Sequence, residues 1–521
     1  MSKICYINLT TNEISYENYN IENLIYHGRS LTSYLVNKCT SPSTDRFDGE
    51  NVIVLTPGLF TGTTAPSTGR ISIATKKGKG LGMQIINMTG ALPQKIASLG
   101  FESLVISGKS INNNTIIYID KNKIEIKSLD NCNKKFVSEI ISEIKTTYGN
   151  DCAIIGTGPA SNNMMPLSTM FSTYPEGYPQ YYCTRNGFGD IFGSKNLKAI
   201  IVNHDKYFQN ICFDEKNFSI ESKKLAKLII NNPICGQALP GHGSITLIKL
   251  LKNKDNIPSS KAYVPKVKLP LEEFRPAKKI NKTCAPLCVI GCLNRHCKND
   301  EEAFSAPAES EVNAALSHCY NIEDILFSKK INTRAFELGI DSTEFVFSSH
   351  LYYKAINKVP SKDDIYVLLT EIENNTILGK IIGSKTQGIY NFFRENQELE
   401  KLVTKPVINE EKNFNIALDK LFKDFENVDD LELMYRQIFL LSNLGFCIFT
   451  AFALINNKEA LNIISNMYYY KTGQKITAVE MINFADKCIE SEIRNEKDNA
   501  VGVIQKNIPE FTKVLYRYFS L

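Results

Sequence analysis

Apolar and polar positions alternate with period two in KICYINL, break at the polar TTNE and resume in ISYEN, which predicts a β-hairpin at the start of the chain. From Ile21 to Cys39 the apolar residues Leu24, Leu31, Tyr34 and Leu35 fall at helical spacing. NVIVL (Asn51–Leu55) predicts a short buried strand that runs into the loop TPGLFTGTTAPSTGR. Further strands are expected at ISIATK, SLVISGK, TIIYIDKNKIEIKSL (a hairpin about Lys121–Asn122) and CAIIG, with a helix near Lys134–Tyr148. Two more Gly-rich loops follow, GTGPASNN and TRNGFGDIFGSKNLKAIIV, the second leading into a strand that ends at Val202.

Near His204 the pattern changes to helical. Apolar residues recur at three- and four-residue steps around Glu221–Ile230, Ile245–Leu251, Glu309–Ser317, Ile322–Leu338, Glu411–Phe425, Leu431–Leu441, Leu461–Tyr469, Ala478–Ile489 and Phe511–Phe519. The fold class expected is therefore α+β: a β-rich N-terminal domain of stacked sheets over 1–205, then two mostly helical domains over 206–360 and 361–521. The softer second boundary rests on VPSKDD, which reads as a linker. A chain of 521 residues predicts more than one domain, at roughly 100–200 residues each.

A hydrophobic share of 43% with 22% charged residues is that of a globular protein with a large core. The net charge of +5 on 60 basic and 55 acidic side chains is too balanced for nucleic acid, and no basic run is interleaved with aromatics. The fourteen cysteines are scattered along a Lys/Asn/Ile-rich chain without a charged leader and apolar block, so a reducing cytoplasm is expected. Gln437–Asn457 is uncharged and long enough to span a bilayer at about 20 residues. Ser442, Asn443 and Gly445 interrupt it, so a buried helix pair broken at Gly445 is expected rather than a membrane span.

The candidate chemistry lies in CAPLCVIGCLNRHC. Cys284, Cys288 and Cys292 stand four apart, Cys297 follows five later, and Cys447 lies far downstream in LSNLGFCIFTAF. Four thiolates brought together can hold an iron–sulfur cluster, since soft sulfur ligands suit iron. Structural zinc takes the same ligand set, and several reduced, metal-free cysteines are the plain alternative. The loop ending in Thr68, Gly69 and Arg70, and the one carrying Arg185, Gly187, Gly189 and Gly193, offer hydroxyls, backbone N–H groups and guanidinium to an anion such as phosphate. A plain hairpin connection has the same composition, and none of the three loops fits a dinucleotide fingerprint.

Together these stretches resemble the tungsten-dependent aldehyde:ferredoxin oxidoreductase family. NLTTNEI, LTPGLFTGTTAPSTGR, ATKKG and GSKNLKAI carry the likeness over the front of the chain, and ALPGHGS, NKTCAPLCVIGC, ELGID and NLGFCIFTAF carry it further. The resemblance implies a β-rich base under a tungsten- or molybdenum-bis-pterin cofactor. It also implies a [4Fe-4S] cluster on Cys284, Cys288, Cys292 and Cys447, with ferredoxin as electron partner. It points to Arg70 and Arg185 as pterin phosphate contacts, with Thr68, Gly69 and Gly187 in their loops and Asp341 closing one pterin motif. SAPAESEVNAAL aligns with a segment that supplies a glutamate near the metal, placing Glu311, and Glu309 two before it, as catalytic candidates. A carboxylate there would act as general acid or base; the alternative is that both acids stabilise the start of the Glu309–Ser317 helix. Cys297 has no counterpart.

Three departures stand out. The thiol spacing is Cys-x3-Cys-x3-Cys where the family opens Cys-x2-Cys. Phe336 and Ser442 replace the Asp that opens each pterin motif. No histidine follows His350, which falls in the amphipathic FVFSSHLYYKAI and reads as structural. Two functions are therefore expected in competition. One is a divergent oxidoreductase acting on an aldehyde or oxo group of a small molecule; the other is a non-catalytic electron-transfer or assembly homologue without the pterin centre. A homodimer is one option for its assembly.

Overall fold

The computed structural model describes residues 2–19, 26–79, 82–129, 135–175, 181–243, 283–293, 295–296, 304–394, 428–499, 512 and 515. Twelve strands in the front of the chain form two six-stranded sheets. The first contains β1 (Ser2–Asn8), β2 (Glu13–Tyr19), β3 (Ile53–Pro57), β4 (Ile71–Lys76), β5 (Met83–Met88) and β6 (Phe101–Ser107), in the order β2-β1-β6-β3-β4-β5. The second contains β7 (Thr115–Ile119), β8 (Ile124–Ser128), β9 (Ala153–Thr157), β10 (Thr169–Thr173), β11 (Tyr181–Phe188) and β12 (Leu197–Val202), in the order β11-β10-β9-β12-β7-β8. Each sheet has one parallel pair, β1 with β6 and β12 with β7; the other pairs are antiparallel.

Side-chain alternation explains the layers. Ile53 and Leu55 of β3 and Ile155 and Ile200 of the second sheet meet in one core between the sheets. Val52 and Val54 point the other way, onto Leu31, Leu35 and Val36 of the helix Gly28–Cys39. On the far face of the second sheet, Ile116, Ile154 and Ile201 pack on Val137, Ile140, Ile141 and Ile144 of the helix Val137–Tyr148. Because both faces are covered, the central strands read as unbroken apolar runs.

The rest of the described chain is mostly helical and forms two cores. Phe218, Leu225 and Ile229 of the helix Glu215–Asn231 pack with Val428–Leu444, Lys458–Thr472 and Ala478–Asn499. The helices from Ala306 to Arg394 form the other core, in which Tyr353 and Ala355 share contacts with Ile365 and Leu368 across residue 360. Ser361 is the N-cap of the helix Lys362–Glu373: its hydroxyl accepts from Asp364 N, and Asp364 reaches back to it. SKDD thus starts a helix, with the Ser and Asp placed to satisfy its free N–H groups. The helix expected from Ile21 begins at Gly28, and residues 20–25 lie outside the described residues. The expected helices at Ile245–Leu251 and Glu411–Phe425, and Cys297, also lie outside them, as does most of Phe511–Phe519.

The uncharged run resolves as expected at Gly445. Helix Val428–Leu444 ends there at φ +90°, and short helices Ile448–Thr450 and Ala451–Leu454 follow. Among the described residues no helix is long and apolar enough to cross a membrane.

Candidate redox site

The two sulfur-bearing segments meet at the loop after β3. Leu59 N donates to Asn443 O (3.1 Å) and Phe60 N to Leu444 O (3.0 Å), which lays the loop along the segment carrying Cys447. The approach is close because neither chain has a side chain at the crossing: a Cβ on Gly58 would stand 2.1 Å from Gly445 Cα. Ser67 then bonds both sources of sulfur. Its N–H donates to Leu287 O (2.9 Å), its hydroxyl accepts from Val289 N (3.2 Å), and its carbonyl accepts from Cys447 N (2.8 Å). Thr61 braces the same loop by donating to Thr68 O (2.7 Å) and Arg70 O (3.1 Å), while Thr68 Oγ1 donates to Ala65 O (2.9 Å). Gly69 abuts Ala285, where a Cβ would meet Ala285 Cβ at 2.4 Å.

Arg70 closes the arrangement. Its guanidinium donates to Cys447 Sγ at 3.0 Å and feels the charge of Cys284 as well. Burial opposes its charge while the neighbouring Cys447 and Cys284 favour it, so it stays a cation. Cys288 donates to Cys284 and draws that thiol down to about 6, with Arg70 and Thr89 adding to the effect against burial. Thr89 Oγ1 lies 3.6 Å from Cys284 Sγ. Cys288, as the donor in that pair and by burial, is raised, and Cys292 is raised by burial and by the neighbouring Cys284 and Cys447. Beside this loop Gln94 accepts from Gly62 N through Oε1, while its buried Nε2 has no partner among the described residues.

The donor set fits an iron–sulfur cluster. It offers four soft sulfurs, a cation to offset their negative charge, and hydroxyl and amide donors of the kind that bond cluster sulfur. Among the described residues no three Cys, His, Asp or Glu side chains form a group for a single ion. A four-iron cluster spreads its cysteines over different irons.

A second constellation forms around Arg185. This residue is on β11, not in a loop as the glycines suggested. Between the pairs Thr169↔Phe188 and Phe171↔Cys183, β10 advances by two residues and β11 by five. The bulge carries Asn186, Gly187 and Phe188 at positive φ (69°, 79° and 91°) and re-aims Arg185. Arg185 donates to Asp341 Oδ1 (2.9 Å), Ser342 Oγ (3.1 Å) and Glu311 Oε2 (3.2 Å from Nε). Its two carboxylate partners hold it protonated against the cost of burial. Asp341 is also the N-cap of the helix Ser342–Ala355, accepting from Thr343 N and Glu344 N at 3.1 Å each, and its Oδ2 takes Asn186 N at 3.2 Å. Glu311 lies in the second turn of Ala306–Tyr320, because that helix starts three residues before Glu309. The N-terminal dipole acts within the first turn, so it does not account for Glu311. The side chain of Glu309 lies outside the described residues.

Strand β11 connects the two constellations. The Tyr182 hydroxyl exchanges hydrogen bonds with Thr89 (2.8 Å from Thr89 N, 3.0 Å to Thr89 O), which touches Cys284. Arg185 follows three residues later, about 10 Å along an extended strand. Phe336, at one lead position of the pterin motifs, is buried with Cys183 on the outer face of the second sheet, and its side chain offers no acceptor. The carboxylates that do face this region are Asp341 and Glu311, so the residues fit a pterin in part. His350 packs edge-on against Tyr320 at 5.1 Å, and burial lowers it to about 4. Sequence reasoning missed Ser67, Thr89, Gln94 and Tyr182; NMTG, which contains Thr89, carries no motif-like signal.

A family model for the N-terminal domain of aldehyde ferredoxin oxidoreductase matches residues 4–204. The tungsten-containing aldehyde ferredoxin oxidoreductase of Thermococcus kodakarensis is 28% identical over 344 residues, 64% of this chain and 55% of that protein. That of Pyrococcus furiosus is 28% identical over 346 residues, with the same shares. The matched stretch thus spans little more than half the length of these relatives. Among solved structures, the active site complex BamBC of benzoyl coenzyme A reductase, in complex with 1,5 dienoyl-CoA, superposes with a TM-score of 0.73. It is 15% identical and covers 99% of this chain and 93% of that one, a likeness of fold.

Proposed function

The chain is a divergent member of the aldehyde ferredoxin oxidoreductase family, and from that premise we propose that it is a redox enzyme with a tungsten- or molybdenum-pterin centre and an iron–sulfur cluster. The observation that carries this reading is Arg70, whose guanidinium bonds Cys447 and faces Cys284, two sulfurs far apart in sequence. Cys284, Cys288, Cys292 and Cys447 are assigned to the cluster. Thr68, Gly69, Arg70, Arg185, Gly187 and Asp341 are assigned to the cofactor cradle.

When bound, the pterin-held metal supplies two-electron chemistry and the cluster passes electrons singly. The chain's own residues then have distinct tasks. Arg70 places positive charge beside the thiolates. Asp341, held by Arg185 and three backbone N–H groups, keeps one acceptor position on Oδ2 for a cofactor N–H. Glu311 gives Oε2 to Arg185, and among the described residues nothing bonds Oε1. That oxygen, on a side chain 41% exposed, can take and return a proton from water. Glu309 is the second candidate for this role.

The electron partner would be ferredoxin or a similar carrier, and the substrate a small molecule. The solved relative's dienoyl-CoA widens the choice beyond aldehydes. Metal analysis of anaerobically purified protein tests the reading. Near-stoichiometric tungsten or molybdenum beside four irons supports it. Iron without either metal leaves an electron carrier, and zinc alone sinks both.

A further inference from the structure

A cavity of about 610 Å³ opens beside the Arg185 constellation, on the edge of the first sheet. That volume lies within the roughly 300–1,000 Å³ of small-molecule sites. Four of its lining residues are cations, Arg29, Arg46, Lys77 and Lys385, and none is a carboxylate. Gln84, Asn186 and three apolar side chains complete it. The four cations come from four separate places: the helix Gly28–Cys39, the loop before β3, the end of β4 and the start of the helix Lys385–Arg394. Their convergence is a product of the fold and not of a basic run in the sequence.

One wall is built and braced. Arg46 makes a two-point pair with Asp190 (2.9 Å from Nε and 2.9 Å from its second nitrogen) and also donates to Gln84 Oε1 at 3.1 Å. Gln84 Nε2 in turn donates to Asn186 O. Lys385 Nζ lies against Gly187, 2.8 Å from where a Cβ would stand. Asp190 therefore offsets Arg46, and Glu344, which accepts from Thr386, is the carboxylate that senses Lys385. Among the described residues neither Lys77 nor Lys385 has an ion-pair partner. Converging cations around a concave wall attract an anion and hold it more firmly than the same charges on an open surface. Planar amides and apolar walls beside them suit an organic group attached to that anion.

We propose that this cavity binds the phosphate or pyrophosphate group of a small organic molecule. The cavity itself is independent of the redox assignment; the direction of the bound molecule, with its far end toward Arg185 and Glu311, rests on it. Two sources share the chemistry: a free phosphorylated substrate, and the phosphate of the pterin cofactor.

The probe is inorganic pyrophosphate, titrated calorimetrically into the full-length protein, both cofactor-loaded and produced in a host that makes no pterin. Saturable binding is expected, weakening at least about tenfold as salt rises from about 0.05 to 0.5 M and charges are screened. Lys77→Gln and Lys385→Gln should each weaken it about threefold to tenfold, while Lys109→Gln, on the loop after β6, leaves it unchanged. Equal binding by both forms assigns the site to a free ligand. Binding by the pterin-free form alone assigns it to the cofactor's phosphate. Absence of binding in both forms, or binding that ignores the two lysine substitutions, overturns the proposal. Protein lacking tungsten, molybdenum and iron would sink the redox reading and leave this measurement standing.

Discussion

Gly58→Ala tests the crossing that brings Cys447 to the loop of Arg70. The added Cβ would lie 2.1 Å from Gly445 Cα and 2.2 Å from Gly445 N, where ordinary contact begins at 3.4 Å. Both obstacles are backbone, so no side chain can swing away and the two segments must part by about 1 Å. The bonds from Leu59 N to Asn443 O and from Phe60 N to Leu444 O, now 3.1 and 3.0 Å, cannot survive that displacement. A buried donor left without a partner costs about 1–3 kcal/mol, so the pair should cost about 2–6 kcal/mol. Against an unfolding free energy of about 5–15 kcal/mol for a domain, a loss of that size is easily read in a guanidinium titration. Gly100→Ala is the control. It has nothing within 4 Å of the new atom, and its positive φ (+82°), which Gly58 does not share, should cost an alanine about 1–2 kcal/mol of left-handed strain. If Gly58→Ala unfolds at the midpoint of wild type and retains its iron, the crossing does not hold the sulfur segments together and the reasoning fails.

Cys447→Ser should lower iron and sulfide content together, since a hydroxyl is a poor ligand for iron in place of thiolate; unchanged content would remove Cys447 from the ligand set. Arg185→Gln leaves Glu311 and Asp341 facing each other without a cation. With side-chain exposures of 31% for Arg185 and 41% for Glu311, solvent screening keeps the expected loss to about 1–2 kcal/mol. A melting temperature equal to that of wild type would show that the pairing contributes nothing to stability. Lys195, buried with its ammonium on Gly49 O (3.2 Å) and Gly108 O (3.0 Å), is lowered by burial from 10.5 to about 8. The unfolded chain then binds more protons than the folded one between these values, so stability rises with pH across that window. The penalty, about 3 kcal/mol, is fully present below pH 8 and fades as the pH rises toward 10.5. The stability difference between wild type and Lys195→Met, followed by denaturation from pH 7 to 10.5, should move in favour of wild type; a flat difference contradicts the burial argument.

Much of the fold was legible because the two sheets are covered on both faces, which turns NVIVL, TIIYI and CAIIG into plain apolar runs. β5 and β10 were not legible. MQIINM places an exposed Asn87 among apolar residues, and TMFST is short and buries three hydroxyl side chains, two of which bond backbone carbonyls, Thr169 on Thr184 O and Thr173 on Ile154 O. The site shows the same division. The thiols stand out by spacing, and Asp341 is reached through ELGID, the stretch that resembles a pterin motif. Thr89 and Gln94 are ordinary residues made relevant by contacts with Cys284 and Gly62, and no local pattern encodes such contacts. Arg185 was legible as a residue but misplaced in its element. Three consecutive positive φ values let a strand carry the glycines of an apparent loop.

Ser67 shows why the two sulfur sources behave as one structural unit. Its N–H, hydroxyl and carbonyl are all committed, the first two to Leu287 and Val289 between the clustered thiols and the third to Cys447. Ser67 itself sits at φ +57° and Leu287 at φ +55°, a conformation that costs a non-glycine residue about 1–2 kcal/mol. A hydrogen bond joins these two strained residues, so neither can relax without releasing the other. Strain of this kind persists only where surrounding contacts over-determine it. Here those contacts come from three segments more than 150 residues apart in sequence, so we expect the sulfur geometry to require the docking of the segments that carry Ser67, Leu287 and Cys447. Cluster insertion should accordingly follow docking and not drive it. Protein denatured without metal should therefore recover the Gly58–Gly445 crossing on refolding, read as a native guanidinium midpoint, before iron is supplied. Refolding that requires iron from the outset would reverse this order.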